Sequence, residues 1–191
     1  MTSGVTAFEV MVAPSAAYAR GRDDRRRGIA TALRRPLLSA LVIGTAIALS
    51  TTHSVAPVVV ASVTTWWSFA VAIQLAAGLI LIAPARGRTV PLAAAVDLFF
   101  AGHGPWSLWL LTIAVIGLAT YVPAETLIAT ALLPLLWTAR IVYVFCREVL
   151  RDDRRLALKR TVGHQGFILA FLVVCGLMAI AALPRWLAAS G

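Results

Sequence analysis

Charge is scarce in this chain, and acid is scarcer than base. Only 13% of the residues are charged, about half the ~25% of ordinary soluble domains, too few to cover a water-exposed fold of this size. Lysine is nearly missing: sixteen of the seventeen bases are arginine, the other is Lys159, and they face eight acids for a formal charge of +9. That scarcity of lysine beside abundant alanine is the compositional mark of a GC-rich bacterial genome. Cysteine occurs twice, as Cys146 and Cys175. On the span boundaries drawn below, Cys175 lies roughly 16 Å into its helix and Cys146 at the end of another. A disulfide needs Cα atoms within about 7 Å, so none is expected. No catalytic signature is present. Disorder is excluded as well, because 60% of the chain is apolar and disordered chains have low hydrophobicity.

What the sequence does hold is long apolar runs, with a mean hydropathy of +0.87. A membrane-spanning helix needs about 20 mostly apolar residues. The runs at 37–53, 58–83, 105–121, 125–146 and 164–183 meet or approach that length. The first is short unless the turn bearing Arg34 and Arg35 joins the helix and snorkels. The fourth contains Pro134, which is expected to break it. Residues 91–121 form a nearly continuous apolar stretch, about 46 Å as a straight helix and too long for one crossing. Gly102-His103-Gly104-Pro105 is the obvious break. Residues 89–101 then read as a short helix near the interface or dipping into the inner leaflet, and the third span opens at Pro105.

The expected fold is therefore all-α: a polytopic membrane protein with a bundle of five transmembrane helices and an interfacial N-terminal helix. Residues 1–35 form an Arg-rich cytoplasmic or interfacial segment, and 36–191 the five-span domain. In residues 4–20, Val5, Phe8, Met11 and Val12 recur at roughly helical spacing, with Pro14 bending or ending the helix. The apolar stretch begins only after position 36, too late for an ordinary signal peptide. Five crossings place fifteen of the seventeen bases on one side. The positive-inside rule then puts the N-terminus in the cytoplasm and the C-terminus outside, in what composition suggests is a bacterial inner membrane.

Asp97 is the most informative single residue, since a carboxylate within an apolar stretch is costly and raises a functional question. By helical rise, Asp97 and Arg140 lie at similar depth in the inner leaflet, so an intramembrane Asp97–Arg140 pair is allowed. The alternatives are that 89–101 lies flat with Asp97 among headgroups while Arg140 snorkels, or that Asp97 belongs to a proton or ion path. His53, His103 and His164 do not share a metal site by spacing, and no metal or other cofactor is expected. Arg-Asp-Asp-Arg-Arg occurs at 22–26 and again at 151–155. Paired aspartates can hold magnesium beside substrate phosphates, but arginines wrap both pairs, and solvated juxtamembrane charge is the plainer reading. Gln74 is expected to hydrogen-bond between helices, and Gly44, Gly78, Gly117 and Gly176 to permit close helix contact. Arg25, Arg26, Arg27, Arg34, Arg35, Arg154, Arg155, Lys159 and Arg160 are the candidate contacts to anionic lipid headgroups. Nucleic acid is not an expected partner, because the bases flank apolar runs.

The opening stretch Phe8-Glu9-Val10-Met11-Val12-Ala13-Pro14-Ser15-Ala16-Ala17-Tyr18, with Pro36-Leu37 and Ile43-Gly44 in the first span, resembles bacterial Yip-domain proteins. These are similar to the eukaryotic Ypt/Rab-interacting-protein family. That family's Asp-Leu-x-Gly-Pro motif has a loose counterpart in Asp97-Leu98 and Gly104-Pro105, with five residues intervening instead of one. The resemblance implies five spans, a cytoplasmic N-terminus and a non-enzymatic membrane-organising or scaffold role, binding other membrane proteins or lipids. Two rival expectations remain: a small transporter or channel component using Asp97 and Arg140, and a membrane-embedded lipid-modifying enzyme using the Asp pairs.

Overall fold

The computed structural model describes residues 4–22, 28–85 and 90–189, and side chains as far as Val174 apart from residue 172. Among them every regular element is helical. The helices are α1 (Ala7–Val12), α2 (Pro14–Arg22), α3 (Ile29–Thr52), α4 (Pro57–Ile82), α5 (Leu92–Ala101), α6 (Gly104–Ala119), α7 (Ala124–Glu148) and α8 (Arg154–Ala189). Among the described residues, four stretches are long and apolar enough to cross a membrane: Ile29–Thr52, Pro57–Ala85, Leu92–Ala119 and Ala124–Glu148. Their outward faces are apolar, with Trp66 81% exposed beside Ile29, Val58 and Leu136. Such a surface suits a lipid solvent and fits an integral membrane protein.

Several helices extend past their apolar runs. α3 begins at Ile29, eight residues before the hydropathy boundary at 37, and so takes in Arg34, Arg35 and Pro36. α8 begins at Arg154, ten residues before 164. Backbone hydrogen bonding continues through charged residues where a hydropathy window stops. Pro134 does not break the fourth span either; α7 runs through it from Ala124 to Glu148. At the other end of α3, Ser50, Thr51 and Thr52 donate to the carbonyls of Ala46, Ile47 and Ala48, each at 2.8 Å, which satisfies their hydroxyls within the helix.

The N-terminal segment departs from the interfacial helix expected at 4–20. A capping box starts α1: Thr6 Oγ1 accepts from the Glu9 amide at 3.2 Å, and Glu9 Oε2 accepts from the Thr6 amide at 2.7 Å. These bonds, with Arg20 at 2.7 Å, hold the Glu9 carboxyl below its ordinary range. α1 ends at Val12, and Pro14 opens α2, the first-turn position that proline favours. The two short helices pack into the bundle, with Val10, Ala17 and Tyr18 fully buried, while Phe8 and Val12 stay exposed. Tyr18 meets Phe145 of α7 edge-on, at 5.6 Å between ring centroids. Burial raises its phenol well above the ordinary value.

α5, the short helix expected near the interface or dipping into the inner leaflet, is enclosed by other helices: every residue from Ala94 to Ala101 is buried. It packs on α3, α4, α2 and α7. Small residues make this possible. A Cβ on Gly78 of α4 would stand 2.6 Å from the Phe99 ring, and one on Gly102 would stand 2.8 Å from Ile141. The break before α6 falls at Gly102-His103 as the sequence predicts, although Gly102 itself keeps a right-handed helical backbone. Gly44 faces Thr64 across the α3–α4 contact, whereas Gly117 has open space around it. Gly176 lies outside the described side chains.

A Cβ on Gly44 would fall 1.9 Å from Thr64 Oγ1 and 2.7 Å from the Thr64 Cα, a backbone atom that cannot swing aside. Gly44→Val is expected to destabilise the solubilised protein by at least the ~1–3 kcal/mol of ordinary overpacking. Gly117→Val should change the thermal unfolding midpoint little. Equal midpoints for the two variants would refute the close α3–α4 approach.

Candidate functional site

The start of α3, all of α5, the end of α7 and the start of α8 meet at one end of the molecule, and arginines tie them together. Arg35 is central. Its Nε lies 3.1 Å from Asp97 Oδ1, its Nη1 donates to the Asp97 carbonyl at 2.9 Å, and its Nη2 donates to the Val5 carbonyl. The Asp97 side chain is 3% exposed and that of Arg35 20%, so this is a largely desolvated ion pair. Arg22 of α2 donates to the Glu148 carbonyl at 2.9 Å, where the last turn of α7 leaves acceptors unsatisfied. Arg147 donates to the Asp152 carbonyl, also at 2.9 Å.

These contacts correct three expectations. Asp97 pairs with Arg35, sixty-two positions earlier, and not with Arg140, whose residue is exposed on α7. Arg35 was expected among the headgroup contacts, and it is turned inward to Asp97. Arg160 was too, and it is paired with Asp152 at 2.8 Å with its side chain only 15% exposed. Of the remaining headgroup candidates, Arg34, Arg154, Arg155 and Lys159 are exposed, while Arg25, Arg26 and Arg27 lie outside the described residues.

The second Arg-Asp-Asp-Arg-Arg segment is occupied structurally. Asp153 Oδ1 accepts from the Leu156 amide at 2.9 Å and so caps α8. Asp152 is buried against Arg160. Burial raises its carboxyl above the ordinary value, and Arg160 opposes that rise. Arg151, between the helices, adopts a left-handed φ of 60°. Asp23 and Asp24 of the first segment lie outside the described residues. No group of three or more metal-ligating side chains occurs among those that are described.

The histidines are arranged in a way that spacing does not reveal. His103 and His164 flank Phe99, with ring centroids 4.8 and 5.5 Å from it. His103 Nδ1 lies 3.2 Å from the Phe99 carbonyl, and His164 is buried with neither ring nitrogen hydrogen-bonded. Gln74 does not bridge helices as expected through its carbonyl, because its Oε1 is buried without a partner.

Two cavities adjoin, the first at this end and the second running from it into the middle of the bundle. The first, about 730 Å³, is lined by Arg34, Arg35, Asp97, Thr31, Ser39 and His103, among others. The second, about 410 Å³, is mainly apolar, with Trp67, Trp106, Ile128, Phe171 and Gln74 in its walls. Ser39, Phe100, His103 and Ser107 belong to both. No family model, curated protein or solved structure matches this chain, so the Yip-domain resemblance draws no support from those comparisons.

Removing one partner of a buried ion pair costs about 3–5 kcal/mol, so Arg35→Met or Asp97→Leu should each lower stability strongly. A double-mutant cycle on thermal unfolding should show Arg35 and Asp97 coupled by about 1 kcal/mol or more, while Arg140→Gln and Asp97→Leu add within about 0.5 kcal/mol. Coupling to Arg140 in place of Arg35 would reverse the assignment. Arg160→Gln leaves the Asp152 carboxylate uncompensated at neutral pH. A raised folded pKa favours the folded state as the pH falls through it, so the loss in Arg160→Gln should shrink on acidification; a loss that grows toward acid would show that Arg160 does not offset that charge.

Proposed function

We propose that this chain is a non-enzymatic integral membrane protein of a bacterial inner membrane, with five crossings and a cytoplasmic N-terminus. Its Arg-rich end engages anionic lipid, and through it neighbouring membrane proteins, in a membrane-organising role of the kind that the Yip-like resemblance implies. One observation carries this reading: the bases divide into inward braces and an outward set. Arg34, Arg154, Arg155 and Lys159 are exposed, on helices whose starts the braces hold at one end of the bundle. Each such base near an anionic surface contributes about 1 kcal/mol of attraction. α8 contributes the fifth crossing over 164–183, and its first ten residues extend about 15 Å beyond that span.

A transport role is favoured by a different observation, since Asp97 lines the more polar of the two cavities, which adjoins the one containing Gln74. Against it, Arg35 already satisfies Asp97, and Arg140 lines neither cavity. The lipid-enzyme reading is weakened because Asp152 and Asp153 serve the α7–α8 junction. Ion flux through proteoliposomes that disappears in Asp97→Asn would move the assignment to transport.

Reporter fusions at the two termini should report opposite compartments, with the N-terminal one cytoplasmic. In vesicles, anionic lipid should raise the thermal midpoint over zwitterionic lipid, and the gain should fade as salt shortens the Debye length from about 10 Å at 0.1 M to about 3 Å at 1 M. Termini on one side, or a gain indifferent to salt, would overturn the proposal.

A further inference from the structure

We propose that the two adjoining cavities form one site for a single anionic glycerophospholipid, with its phosphate at Arg34 and an acyl chain in the apolar chamber. The inference rests on the lipid-binding reading above and gives it a location. Arg34 lines the polar cavity and has no hydrogen-bond or ion-pair partner among the described residues. Asp97 offsets Arg35 on the same wall, so the cavity keeps one uncompensated positive charge. The hydroxyls of Thr31 and Ser39 lie one turn before and after Arg34–Arg35 on α3, as donors for phosphate or glycerol oxygens. Beyond Ser39 and His103 the walls change to Trp67, Trp106, Ile128 and Phe171.

The dimensions agree with this occupant. Both cavities follow α3, the polar one from Thr31 and the apolar one as far as Ile47. From Arg34 to Ile47 is thirteen residues, about 20 Å of helical rise. A leaflet of hydrocarbon is about 15 Å deep, half of a ~30 Å core. A headgroup held at Arg34 therefore sends its chain down the chamber at the depth that the bilayer gives it. A free phosphate would fill only the polar cavity and leave the apolar chamber unused.

The test uses the full chain purified in mild detergent, with phosphatidylglycerol, phosphatidylcholine and inorganic phosphate as probes and native mass spectrometry as readout. Phosphatidylglycerol should be retained at least about tenfold more tightly than phosphatidylcholine: both present a phosphate, but the choline ammonium cancels the net negative charge that Arg34 attracts. Arg34→Gln should abolish that preference. Ala131→Trp, which fills the chamber, should weaken both lipids alike. Arg140→Gln, at an exposed base that lines neither cavity, should leave retention unchanged; Arg154→Gln with Arg155→Gln should lower it far less than Arg34→Gln, and millimolar phosphate should not compete.

Competition by phosphate, with Ala131→Trp silent, would overturn the lipid site in favour of a free-anion site. A preference that follows Arg154 and Arg155 instead of Arg34 would overturn this location while sparing the broader lipid reading. Absence of any preference in the wild-type chain would overturn both. If the variants do not fold, phosphatidylglycerol with a photoreactive acyl chain settles the matter on the unaltered protein. Labelling should fall on residues 106–110 and 127–131, and labelling confined elsewhere would refute the site.

Discussion

The arrangement turns on where the Arg35 guanidinium is placed. It is bonded at once to the Asp97 carboxylate, the Asp97 carbonyl and the Val5 carbonyl, so it links α3, α5 and the N-terminal segment. An isolated charge is very costly in a low-dielectric interior, and only a full set of partners makes it tolerable. That requirement fixes the rotation of α5, an otherwise apolar helix with little else to orient it. With Asp97 turned to α3, Phe99 stands about 200° further round the helix at 100° per residue, where Gly78, Phe145 and the two histidine rings receive it. One ion pair thus sets both faces of the most buried helix.

The near-exclusive use of arginine gains a physical reason from this division of labour. Arg22, Arg35, Arg147 and Arg160 each reach across a junction to a carbonyl, a carboxylate or both. A planar guanidinium offers five donors in a fixed fork, which suits several acceptors from different segments. An ammonium would serve such junctions less well. Placing Arg22 at the carbonyl end of α7 also sets positive charge against the negative end of that helix dipole. Bracing arginines and exposed arginines therefore alternate along the same helices, Arg35 beside Arg34 on α3 and Arg160 beyond Arg154 and Arg155 on α8.

Much of the helical plan was legible in the sequence. Hydropathy placed α4 at 58–83 against the observed Pro57–Ile82, and chain geometry placed the break at Gly102-His103. The ends of α3 and α8 were not legible, because an apolar window stops at charged residues while backbone hydrogen bonding does not. The sequence allows the turn bearing Arg34 and Arg35 to join α3, but as bases snorkelling to the headgroups, and depth along the spans then leaves Arg140 as the partner for Asp97. The signal for the docked N-terminal segment was Tyr18, a large aromatic beside small residues. The pairing of His103 and His164 around Phe99 had no sequence signal, since it depends on α8 crossing α5.

The seating of the N-terminal helices has a consequence for how the chain is assembled. Their anchor points lie far downstream: Met11 accepts from Trp137, Tyr18 stands on Phe145, and Arg22 caps the end of α7 at Glu148. At about 5–20 residues per second of synthesis, the segment made first waits roughly 6–25 s before the surface that receives it exists. During that interval Tyr18 and Arg22 lack their α7 partners, while the contacts of α1 with α6 and of α2 with α5 are already available. The grip of these two short helices on α7 is thus closed long after the helices themselves are made.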